Sequence, residues 1–209
     1  MREGRFITFE GGEGAGKSTQ VARLTERLQA RGLEVVRTRE PGGSPGAEDI
    51  RGLLVTGAAD RWSATAETLL LYAARSDHLE QTIRPALARG VWVVCDRFAD
   101  STRAYQGAAG GAAPELVSSL EVQVVGPNAP DLTLVLDLPP EAGMARVASR
   151  GEAQTRFEAK GLDFHARLRA GFLQIAAAEP QRCVVIDATA SPNEVTAAVW
   201  AAVQERLAP

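Results

Sequence analysis

The stretch GGEGAGKS at residues 11–18 restricts what this chain can fold into more than any other part of it. It matches the pattern G-x-x-x-x-G-K-[S/T] in full, and it lies where that pattern needs to lie. The apolar run FITFE precedes it, and an amphipathic pattern opens near Lys17. A strand that turns through glycines into a helix aims successive backbone N–H groups at one point, and the positive end of the helix adds to them. Such a turn binds phosphate. The reading is a nucleoside triphosphate held by Gly11, Gly12, Glu13, Gly14, Ala15, Gly16, Lys17, Ser18 and Thr19. Lys17 is expected to reach the β- and γ-phosphates and Ser18 to hold Mg²⁺. Asp96, at the end of VWVVCD, is the expected second metal-side group. Asp137, ending LTLVLD, is set aside because Asp96 leads directly into Arg97 and the block that follows.

The loop needs a sheet behind it. Short apolar runs rich in β-branched residues recur at 5–10, 34–38, 91–96, 132–137 and 183–187, as strands buried on both faces of a parallel sheet do. Helical stripes fill the gaps: Val21, Leu24 and Leu28; Phe164, Leu168, Phe172 and Ile175; Val195, Ala198, Val199, Ala202 and Val203. The alternation predicts an α/β fold, a five-stranded parallel sheet between two helical layers, as a single domain over 1–209. One segment differs. Residues 150–161, RGEAQTRFEAKG, are polar and bracketed by Gly151 and Gly161, which predicts a short mobile lid.

Other features narrow the function. A net charge of −3 gives no global attraction to nucleic acid or to a membrane surface. Cys95 and Cys183 each sit in an apolar run and read as reduced core residues. Without a secretory leader or a run of 18 apolar residues, a cytoplasmic location is expected. His78 and His165 lie in helical patterns without metal-ligand spacing, and Trp62, Trp92 and Trp200 read as packing residues. The N-K-x-D stretch of a guanine-reading switch is absent, and a motor needs more chain. A small-molecule kinase needs only a cleft, an acceptor pocket and a closing lid. Arg39, Arg51, Arg75, Arg97, Arg150 and Arg156 lie at predicted strand and helix ends, and an acceptor that itself carries a phosphate needs such cations.

Beyond the loop, the chain resembles the bacterial thymidylate kinases along most of its length. The stretches that carry the likeness are FEGGEGAGKST (9–19), TREPGG (38–43), YAARSDHL (72–79), IRPAL (83–87), DRFADSTRAYQG (96–107), PDLTLVLDL (130–138), RFEAKGLDFHARLRAGF (156–172) and IDAT (186–189). The resemblance implies transfer of the γ-phosphate of ATP, with Mg²⁺, to thymidine monophosphate by a homodimer. Glu13 resembles the family's acidic loop residue near the acceptor sugar and metal. Arg97 is similar to the arginine that grips the acceptor phosphate. Arg39, Glu40, Pro41 and Arg51 resemble the monophosphate pocket, and Arg75 the arginine that bonds the thymine edge. Ser101, Thr102, Tyr105 and Gln106 resemble the wall that reads the pyrimidine and crowds the sugar.

The loop carries no arginine, which resembles the bacterial type whose lid supplies the catalytic cation, with Arg156 as first candidate and Arg150 in support. Two positions depart from the family's pattern. The family's aromatic platform four residues before Arg75 is Leu71 here, with Tyr72 next to it, and Thr155 stands where an aspartate often precedes the lid arginine, leaving Glu158 to orient it. The alternatives are a kinase for another nucleotide or nucleoside and, in a different class, a nucleotide-dependent binding switch.

Overall fold

The computed structural model describes residues 4–58, 60–149 and 156–209. Five strands form one sheet: β1 (Phe6–Glu10), β2 (Val35–Arg39), β3 (Trp92–Asp96), β4 (Leu132–Asp137) and β5 (Cys183–Asp187). All pairs are parallel, in the order β2-β3-β1-β4-β5. The expected strands at 132–137 and 183–187 match residue for residue, and the first three each begin one residue later than expected. The shift at β2 has a local cause: Arg39 still pairs in register with Asp96, so the ladder runs to the edge of the site.

Burial follows strand order. β1, β3 and β4 are interior and almost wholly covered, whereas β2 and β5, at the edges, keep partly exposed residues. This is why the central runs read as unbroken apolar segments. On one face, Val21, Leu24 and Leu28 of α1 (Lys17–Gln29) and Val195, Val199, Trp200 and Val203 of α9 (Pro192–Leu207) pack on Ile7, Phe9, Val94 and Leu134. On the other face, Tyr72 of α3 (Ala64–His78) joins Phe6, Val93 and Cys95. Phe164, Leu168, Phe172 and Ile175 of α8 (Leu162–Ala178) gather around Val135 and Cys183. The three helical stripes are therefore core, and both cysteines are buried and unbridged.

The remaining helices are α2 (Pro45–Val55), α4 (Arg84–Ala88), α5 (Ala99–Thr102), α6 (Pro114–Val124) and α7 (Pro140–Ala148), of which α2 and α5 carry residues that border the site. Wider π-helical turns join α3 to α4 at Leu79–Ile83 and follow α5 at Arg103–Ala109. Such turns displace a helix face locally and recur at functional sites. Residues 150–155 of the expected lid lie outside the described residues. Its remainder, 156–161, is a turn that leads into α8. Among the described residues, no helix is long and apolar enough to cross a membrane.

Candidate active site

The C-terminal ends of β1 and β3 meet at a crevice, the usual ligand position in an open α/β sheet. The glycine turn leaves β1 there and needs residues without a β-carbon. Gly11 has φ 133° and Gly14 φ 70°, and a β-carbon on either would run into the carbonyl of Leu136 or Gly143. Lys17 folds back over the loop, its Nζ donating to Gly12 O at 2.7 Å and Gly11 O at 3.1 Å. Burial and the nearby Arg97 push its pKa down to about 8, against the pull of Glu13, Asp96 and Glu10. Ser18 Oγ donates to Asp96 Oδ2 at 2.6 Å, so the two expected metal-side groups converge.

Asp137 does not compete for that role. Arg169 takes both its oxygens, at 2.7 and 2.8 Å. Among the described residues, no three or more His, Cys, Asp or Glu side chains are grouped to hold a metal. A hydroxyl and a carboxylate beside a phosphate cradle are nevertheless hard oxygen donors of the kind Mg²⁺ takes together with phosphate oxygens.

Arg97 occupies the centre. Its φ of 70° is rare for a residue with a side chain, and such a conformation persists where the surroundings hold it. Its guanidinium donates to Gly11 O (3.0 Å), Ser101 Oγ (3.2 Å), Glu13 Oε1 (3.2 Å) and Tyr105 Oη (2.7 Å). Tyr105 in turn donates to Glu13 at 2.5 Å. Burial alone would raise the Glu13 pKa. Arg97, Lys17 and the tyrosine hydrogen bond outweigh it and hold the carboxyl at about 2.

The sequence hid the role of Glu10. It ends β1, fully buried, and accepts from Phe98 N (2.8 Å), Ser101 N (3.2 Å) and Ser101 Oγ (2.6 Å). It thereby ties the 97–101 turn to the base of the phosphate loop. Burial, with Asp100 nearby, pushes its pKa up. The only sequence signal was a charge at the end of an otherwise apolar strand.

The acceptor side has a second buried network. Arg75 Nε donates to Glu40 Oε2 at 2.8 Å, and its Nη2 to Phe98 O and Thr102 Oγ1 at 3.1 and 3.0 Å. Its Nη1 is buried without a hydrogen-bond partner among the described residues. Glu40 Oε1 lies 3.0 Å from His78 Nδ1, and His78 Nε2 lies 2.7 Å from Thr38 Oγ1. His78 therefore does more than fill space: it fixes Glu40, which fixes Arg75. His165 is buried edge-on to Phe164, with its Nε2 without a hydrogen-bond partner among the described residues.

The two networks flank a cleft of about 400 Å³. Arg39, Glu40, Pro41, Arg51, Leu71, Arg75, Arg97, Ser101, Thr102, Tyr105 and Gln106 all border it, as do Glu13, Lys17 and Ser18. Val55, Phe98 and Phe157 border it without having been anticipated. The platform question resolves by helix phase. Leu71 shares a face with Arg75 and lines the cleft, while Tyr72 turns into the core and donates to Val117 O at 3.3 Å.

The structure gives Arg156, the expected lid cation, other partners. Arg156 is not brought to the phosphate loop. Its guanidinium is buried, donating to Leu54 O and Ala58 O at 3.0 Å each and to the carboxylate of Glu67. The physical reason is Glu67 itself, a buried carboxylate that needs a cation, and the turn at Arg156 supplies one. Nothing local in the sequence marks Glu67 for that role. Arg150 and Thr155 lie outside the described residues.

Comparisons with known proteins agree with this geometry. A family model described as thymidylate kinase matches residues 9–199. A thymidylate kinase from Caulobacter vibrioides is 64% identical over 207 residues, covering 99% of each chain. One from Nitrobacter hamburgensis is 56% identical over 209 residues, covering 99% of this chain and 91% of its own. The crystal structure of thymidylate kinase from Ehrlichia chaffeensis superposes with a TM-score of 0.80 at 33% identity, over 97% of this chain and all of that one. With a phosphate cradle on β1 and an arginine-lined pocket facing it, the chain belongs to the thymidylate kinase family.

Proposed function

We propose that one cleft divides this family's reaction, transfer of the γ-phosphoryl group of ATP to thymidine monophosphate, into a donor half and an acceptor half. The donor half is the loop at 11–18. Its N–H groups and Lys17 hold the triphosphate, and Ser18 with Asp96 would hold Mg²⁺. When bound, the cation neutralises phosphate charge. Glu13 keeps its negative charge at working pH and orients Arg97 between the halves.

The acceptor half is carried by one observation above the others: Arg75 Nη1, a buried donor on the cleft with no protein partner among the described residues. A buried N–H left unpaired is costly, and a carbonyl of a pyrimidine base satisfies it. Leu71 and Phe98 give that base an apolar setting, Tyr105 crowds the sugar, and Arg97, Arg39 and Arg51 face the monophosphate. Transfer is direct, with no covalent enzyme intermediate. With Arg156 committed to Glu67, the lid cation for the donor phosphates falls to Arg150.

The reading includes a homodimer working in the cytoplasm. Leu69 on α3 and Val122 on α6, both exposed, are apolar surface on neighbouring helices that a pairing would cover. Sedimentation of the purified chain tests it.

A coupled assay of ADP release against a panel of monophosphates tests the reaction. Thymidine monophosphate is expected to stimulate turnover, and Arg150→Ala to lower kcat strongly with ATP binding retained. Equal rates with thymidine and uridine monophosphates would reject the thymine assignment, and no stimulation by any acceptor would reject the kinase itself.

A further inference from the structure

Glu67 lies one turn into α3 and is 6% exposed. A carboxylate so buried needs strong partners on both oxygens. Oε1 accepts from Gln106 Nε2 at 2.7 Å, and Oε2 accepts from Arg156 Nη2 at close range. Arg156, 3% exposed, is fixed further by the carbonyls of Leu54 and Ala58 near the end of α2. The three side chains come from α3, from the π-turn after α5 and from the turn before α8.

The chemistry of this chain of contacts is one-directional. A carboxylate only accepts, so the amide NH₂ of Gln106 must face Glu67 and cannot flip. That leaves the carbonyl oxygen and second N–H of Gln106 for an occupant of the cleft. Gln106 borders the cleft, whereas Glu67 and Arg156 stand behind it. Phe157, next to Arg156, packs edge-on against Tyr105, another wall residue, with ring centroids 5.6 Å apart. The wall is thus braced twice by the same turn.

We infer that Glu67 is a positioning residue that locks the Gln106 amide for acceptor recognition, and that Arg156 serves the acceptor side by neutralising Glu67. The inference rests on the assignment of the Gln106 side of the cleft to the monophosphate. It separates Arg156 from a cation that meets the transferring phosphoryl group. Such a cation acts on kcat. A cation behind the acceptor wall acts on the KM of the acceptor and leaves that of ATP alone.

The test is a double-mutant cycle between Gln106 and Arg156, which are joined through Glu67. Initial rates are measured with ATP and thymidine monophosphate varied independently, for wild type, Gln106→Ala, Arg156→Ala and the double variant. Each single variant is expected to raise the acceptor KM about 10-fold, and the double variant by about the same factor, because each breaks the same chain. Arg156→Lys, which keeps the charge, is expected to recover part of the loss. If Arg156→Ala does not fold, Glu67→Gln replaces it in the cycle under the same criteria.

Factors that multiply to about 100-fold in the double variant would overturn the inference. So would an Arg156→Ala enzyme with lowered kcat and unchanged acceptor KM. Absence of wild-type turnover with thymidine monophosphate would instead overturn the acceptor assignment on which it rests.

Discussion

At the scale of single residues, Lys17 and Glu13 of the phosphate loop are held away from their ordinary pKa values. Lys17, lowered to about 8, regains a favourable environment when triphosphate arrives, since anionic oxygens stabilise the ammonium. Nucleotide binding should therefore take up a proton above pH 8, and affinity for ATP should fall as pH rises past that value. Calorimetry at pH 8.5 in buffers of different ionisation enthalpy measures the proton directly. Glu13 behaves oppositely. Its folded pKa of about 2 lies below the ordinary 4.5, so the unfolded chain binds more protons between those values. Its contribution to stability is complete above pH 4.5 and is lost as pH falls toward 2. Urea unfolding across this range should show a shallower loss with acid in Glu13→Gln than in the wild type. Most of these residues were legible in the sequence, because loop and arginine motifs are local. Glu10 and Glu67 were not, because each looks like a solvated charge until the chain segments it bonds are brought to it.

At the scale of elements, α5 is too short to stand alone. It has four residues, and no N-cap side chain supplies its first N–H groups. Glu10 does so from the neighbouring strand, through Phe98 N and Ser101 N. Glu10→Ala would strand three donors and should cost about 1–3 kcal/mol in urea unfolding. Glu10→Gln keeps an acceptor oxygen and removes a carboxylate that burial already disfavours, so its cost should be under about 1 kcal/mol. The strand positions were readable from apolar runs, and α1, α8 and α9 from their stripes. The π-turn at Arg103–Ala109 was not, since its hydrogen-bond register is set by packing against α8 rather than by composition. Helix phase decided the Leu71 and Tyr72 question in the same way. The arginine fixes which face of α3 looks into the cleft, and the neighbour of Leu71 has to turn inward.

At the scale of the whole molecule, Arg103 and Arg182 both bridge Asp100 of α5 to Glu179, in the segment before β5. Arg182, just before β5, takes both oxygens of Asp100 at 2.6 and 2.9 Å and reaches Thr133 Oγ1 and Glu179 at 2.8 and 2.7 Å. Asp100 is buried, so Arg182→Leu leaves it with Arg103 as its remaining cation among the described residues. The cost should be about 3 kcal/mol, read as a lower urea midpoint with an unchanged slope. What the sequence determined by itself was the phosphate loop, the strands behind it, the helical stripes and the arginine-bearing blocks, together with the family they resemble. Each of these is written in neighbouring residues or in a short period, so no long-range contact is needed to see it. What only the tertiary structure decided was the partnership of charges. Arg156 and Glu67 are 89 residues apart, the first expected as a catalytic cation and the second not singled out, and folding buries them against each other. Burial removes the water that would have screened either charge, and so the fold, not the motif, sets which anion the arginine serves.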